Sequence, residues 1–129
     1  MKLKLKEVVA LPINSILSTK KLPFNVAYKL AKLARAVERE KEIYRKFMKD
    51  ILEEYAERDE KGEFVYINDG AGIKIRKEAL EECQRKTREI EEIEVEIEVE
   101  LFEEDLEKIE LSVGEMMALM PIINEKPVG

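Results

Sequence analysis

The sequence predicts an α+β fold: a long amphipathic helix packed on a second helix, with a β-hairpin and a small sheet joining an N-terminal strand to a late one. Three observations predict it. Residues 24–58 contain no proline or glycine and repeat apolar side chains at alternating three- and four-residue steps, the period of a helix face. Two segments far apart in the chain, Lys2–Lys6 and Ile93–Leu101, alternate apolar and charged residues strictly, the period of a half-buried strand. Between them, Asn68-Asp69-Gly70-Ala71-Gly72 separates two β-rich stretches and supplies residues that tolerate the positive φ of hairpin loops.

The elements follow in order. Lys2-Leu3-Lys4-Leu5-Lys6 reads as a strand with one apolar and one basic face. In Leu11–Thr19, Pro12 suits a first helical position and the apolar spacing fits one or two turns. The long helix carries Val26, Leu30, Leu33 or Ala34, Val37, Tyr44, Phe47 or Met48, Ile51 and Tyr55 as its stripe, interrupted at Glu40 and Lys41. At 1.5 Å per residue, about 35 residues reach roughly 50 Å, more than a domain of this size needs for its own core, so part of the stripe is expected to seek a partner. Asp59-Glu60-Lys61-Gly62 stops the helix, and strands are expected over 63–67 and 73–75. A second helix over about 76–92 presents Leu80, Cys83, Thr87 and Ile90 on one side. The glutamate strand is followed by an acidic turn or short helix. Ser112 and Glu115 then form a capping-box pattern that opens a last helix ending at Pro121.

The two alternating strands are complementary. Paired with both apolar faces inward, they set Lys2, Lys4 and Lys6 beside Glu94, Glu96, Glu98 and Glu100, and opposite charges across strands contribute about 0.2–1 kcal/mol per pair. This pairing, within a subunit or between subunits, explains a polarised chain whose net charge is only −6. Residues 1–49 carry 13 Lys or Arg against 4 Glu, a net of +9; residues 89–110 carry 12 Asp or Glu against Lys108, a net of −11.

At 129 residues with 45% apolar content, one domain over 1–123 is expected, with a loose tail over 124–129. The chain has no histidine and one cysteine. The commonest general base and metal ligand is therefore missing, no internal disulfide can form, and zinc sites lack their donors. The expectation is a non-enzymatic protein without cofactor or bound metal. No long apolar run suggests a membrane contact, and a reducing, cytoplasmic setting follows.

Two candidate surfaces stand out. Lys20 and Lys21 precede the long helix, whose first free N–H groups and positive dipole end favour an anion. Lys29, Lys32, Arg35 and Arg39 continue this basic character along the helix and could receive phosphate groups of a small ligand. The bland alternative is a solvated face, because Glu38, Glu42 and Glu53 interleave at ion-pair spacing. Extended nucleic acid is disfavoured by the acidic segment. Met116, Met117 and Met120 form a flexible apolar surface suited to a protein partner, unless they cap the chain's own core. The acidic run Glu103, Glu104, Asp105 and Glu107 lacks the spacing and glycine of a calcium loop and reads as surface charge.

The run Lys21-Leu22-Pro23-Phe24-Asn25-Val26-Ala27-Tyr28-Lys29-Leu30-Ala31-Lys32-Leu33, the charged helix leading to Asp59-Glu60-Lys61-Gly62-Glu63, and Leu111-Ser112-Val113-Gly114-Glu115-Met116-Met117-Ala118-Leu119 together resemble small uncharacterised proteins of tailed phages and prophages of Gram-positive bacteria. The resemblance implies expression in the cytoplasm of an infected or lysogenic bacterium, and no catalytic residues. It leads to the expectation of an oligomeric accessory protein, an inhibitor or sponge that sequesters a host defence factor, either a protein or a phosphorylated nucleotide signal. The alternative is a virion or head or tail assembly component. The partners expected are further copies of the chain and one of these host molecules.

Overall fold

Lysine–leucine alternation at the start of the chain forms a strand for three residues and then gives way to a helical turn. The computed structural model describes residues 1–124, and the element order is β1 (Lys2–Lys4), α1 (Leu5–Val9), α2 (Ile13–Thr19), α3 (Phe24–Tyr55), β2 (Tyr66–Ile67), β3 (Gly72–Ile73), a 3₁₀ turn (Lys77–Ala79), α4 (Leu80–Glu91), β4 (Glu94–Glu96), α5 (Glu103–Leu106), α6 (Val113–Leu119) and a closing 3₁₀ turn (Met120–Ile122). The α+β class with its long helix is the fold observed. The last residues of the expected tail, 125–129, lie outside the described residues; Asn124 is bridged to Phe102.

The chain gathers into two compact units, one of Met1–Lys41 with the chain from Glu94, the other of Glu42–Ile93. α3 contributes its first part to one and the remainder to the other.

In the first unit, β1 and β4 pair antiparallel with Lys2 opposite Glu96, Leu3 opposite Val95 and Lys4 opposite Glu94. The lysine strand therefore meets the glutamate strand within one chain, in the register that turns Leu3 and Val95 inward. The ladder is shorter than the alternation implies. The Lys4 N–H donates to Glu7 Oε1 at 3.0 Å, and Leu5 and Val8, one turn apart, are both buried, so α1 begins where the strand was expected to continue. Lys6 consequently sits on α1, and within the ladder Glu96 and Glu94 stand opposite Lys2 and Lys4. Beyond β4 the chain keeps its period of two, with Ile97, Val99 and Leu101 buried and Glu98 and Glu100 exposed. Other groups support this extended stretch: the Asn124 N–H donates to the Leu101 carbonyl at 2.8 Å, and its side-chain amide donates to the Val99 carbonyl. Val26, Leu30, Leu33 and Val37 of α3 are buried in this unit. This first half of the stripe is thus covered by the chain itself, whereas Phe47 further along it is exposed.

In the second unit, Ile51 and Tyr55 of α3 pack with Ala79 and Cys83, flanked by Met48, Ile75 and Ile90. This is the long helix lying on a second helix. Leu80, expected on the buried side of α4, is exposed, because the 3₁₀ turn rotates the entry and Ala79 takes the inward place. α3 ends at Tyr55, three residues early: Ala56 bridges Ile75, and the Arg76 backbone and guanidinium both donate to the last carbonyls, at 3.0 Å to Tyr55 and 2.8 Å to Glu54. The hairpin occupies the expected place, with a shorter ladder and with Asn68, Asp69 and Gly70 all at positive φ in its loop.

Candidate functional site

Of the basic residues predicted to gather an anion, Lys29 and Lys32 line one small pocket, which Glu98 and Glu100 also line. Lys20 Nζ lies 3.3 Å from Glu115 Oε1, and Lys29 Nζ lies 2.9 Å from Asp105 Oδ2 and 5.2 Å from the centre of the Phe102 ring. Both ammonium groups already have a carboxylate. Lys32 lies over the Tyr28 ring at 5.7 Å, and Lys21, Arg35 and Arg39 are exposed. These four are open to solvent along the helix and its approach, and Lys21, Arg35 and Arg39 lie outside the pocket that Lys29 and Lys32 share.

Asp105 is a residue that sequence reasoning misplaced. Counted there as surface charge, it is 3% exposed. Burial opposes its ionisation, but the Phe102 N–H, donating at 2.9 Å, and the Lys29 ammonium more than compensate, and the carboxyl is held below the usual aspartate range. The signal was present in the spacing. Asp105 stands three residues after Phe102, where a side-chain oxygen can turn back to the first N–H of a short helix, and Leu101 and Leu106 on either side of the turn are buried.

The methionines form a surface. The capping box holds the start of α6, with Glu115 N–H donating to Ser112 Oγ at 3.1 Å and Ser112 N–H to Glu115 Oε1 at 2.9 Å. Leu119 and Ile122 then point into the core, while Met117 is 65% and Met120 63% exposed, with Val113 and Met116 exposed beside them. Met116 and Met120 line one wall of an open groove of about 670 Å³ whose other apolar walls are Phe102, Leu106 and Ile123. Glu103, Glu104 and Glu107 rim it, and among the described residues no basic side chain lines it. Chemically this is an adaptable apolar slot with a negative edge. Thioether side chains re-pack at low cost, and the edge selects against anions.

A second exposed apolar feature was not anticipated. Phe24 is 88% and Tyr28 61% exposed on α3, one turn apart and off the buried stripe. Their spacing with Lys32 and Arg35, at four, eight and eleven residues from Phe24, could have revealed a second helical face.

Among the described residues no group of three or more acidic or cysteine side chains gathers as a metal site, and no helix is long and apolar enough to cross a membrane. No family model, curated protein or solved structure matches the chain.

Proposed function

We propose that the chain is a non-enzymatic phage accessory protein that works in the host cytoplasm by sequestering a host defence factor, and that the factor is a protein. The observation that carries this reading is the exposed methionine face of α6 continuing into the acid-rimmed groove. Contiguous apolar surface on a small chain marks a contact site, and methionine suits one that must accept an unrelated partner. The nucleotide branch has less support, because Lys20 and Lys29 are engaged by Glu115 and Asp105.

The test is phage plating on bacteria that carry a defence system and express the chain. Wild type is expected to restore plaques on at least one defended strain, and Met116→Glu/Met120→Glu to lose that effect while remaining folded. No rescue on any defended strain, together with stoichiometric presence in purified particles, overturns the proposal in favour of an assembly role. A thermal shift with cyclic or linear nucleotides would return the phosphorylated signal to first place.

A further inference from the structure

The first unit displays two exposed surfaces that complement each other. One is the outer side of the first half of α3, where Phe24 and Tyr28 stand with Lys32 and Arg35, opposite the buried Val26, Leu30 and Leu33. The other is the groove of Phe102, Met116 and Met120 with Glu103 and Glu107 at its rim. The first offers aromatic rings with Lys32 and Arg35 beside them, Tyr28 and Lys32 bordering the chain's own Glu98 and Glu100 at one edge, and the second offers an apolar slot among anions. Aromatic and arginine side chains supply most of the anchoring at protein interfaces, and opposed charges fix register. The two surfaces are also neighbours on one protomer. Lys20, four residues before Phe24, pairs with Glu115, the residue before Met116; Lys29, next to Tyr28, pairs with Asp105, between the rim glutamates.

We infer that a second copy of this chain fills the groove: the Phe24 and Tyr28 rings of one protomer enter the methionine slot of its partner, with Lys32 and Arg35 against the partner's Glu103 and Glu107. Because the complementary surfaces adjoin, a two-fold axis lets the contact form twice and close on itself as a dimer. The inference rests on the reading of the methionine face as a binding surface and adds regulation to it. A second copy and a host factor compete for Met116 and Met120, so the dimer is the resting form and its dissociation exposes the groove.

Sedimentation of the full chain across micromolar concentrations tests this with no host factor present. Wild type is expected to sediment as a dimer that weakens as salt is raised. Lys32→Glu/Arg35→Glu and Glu103→Lys/Glu107→Lys should each weaken association by about tenfold or more. Their equimolar mixture should recover the dimer, because both contacts then again join a cationic to an anionic surface. Phe24→Ala/Tyr28→Ala truncates only exposed side chains and should be monomeric with an unchanged helical circular dichroism signal. A monomeric wild type, a dimer indifferent to all three variants, or a mixture that stays monomeric overturns the inference. The plating assay separates the two proposals. If wild type is monomeric and still rescues plaques, the host-binding reading stands alone. If the dimer forms as described and no plaques are rescued, the host-binding reading fails.

Discussion

Asp105 accepts hydrogen bonds from the Phe102 N–H and the Lys29 ammonium while almost wholly shielded from water. Asp105→Ala leaves both donors without that acceptor and should cost about 1–3 kcal/mol in urea unfolding. Asp105→Asn keeps an acceptor for Phe102 and should cost less. The pH dependence has a definite sign. The folded carboxyl is held below its ordinary value, so its contribution is fully present above about pH 4 and is lost as pH falls through the lowered value. Urea titrations of wild type should therefore lose stability on acidification more steeply than those of Asp105→Asn. A wild-type curve parallel to that of the variant would mean that the pairing with Lys29 contributes nothing. The position shows why composition misled here: a carboxylate among glutamates looks solvated until the fold brings a lysine 76 residues away to it.

Elements were most legible where one period persisted. The 3-4 spacing of α3, the Ser112–Glu115 cap and the lysine-to-glutamate strand pairing were all written locally or in complementary charge, and each is observed. Ends were less legible: Arg76, 21 residues beyond Tyr55, reaches back to stop α3, and the Glu7 carboxylate accepts from the Lys4 N–H three residues before it, so that a helical turn starts where the strand alternation still runs. The hairpin loop shows local coding at its strictest. Gly70 adopts φ +88°, and a Cβ there would meet nothing within 4 Å, so the cost of Gly70→Ala is conformational alone, about 1–2 kcal/mol. Thermal unfolding of that variant measures it, and an unchanged midpoint would show that the loop relaxes freely. The candidate site was half legible. Methionine composition pointed to α6, while the acid-rimmed slot depends on Phe102 and Ile123 meeting α6 from outside it, a juxtaposition that no local pattern encodes.

For the molecule as a whole, the charge polarity read from the sequence is used internally first. Cations of the first 49 residues meet carboxylates of the late segment at Lys29–Asp105 and Lys20–Glu115, and at the lysine–glutamate register of β1 with β4. Lys32 and Arg35 on the outer side of α3 and Glu103 and Glu107 on the groove rim are the charges that the proposed dimer would bring together. The chain's single cysteine adds an experimental handle. Cys83 is enclosed by Ile51, Tyr55 and Ala79 in the Glu42–Ile93 unit, so a thiol-specific dye can reach it only when that unit opens, and the labelling rate is a built-in clock for that opening alone. Gly70→Ala should speed the clock, and Asp105→Ala, which loosens the other unit, should leave it unchanged. Equal acceleration by both would reveal a protein that opens only all at once.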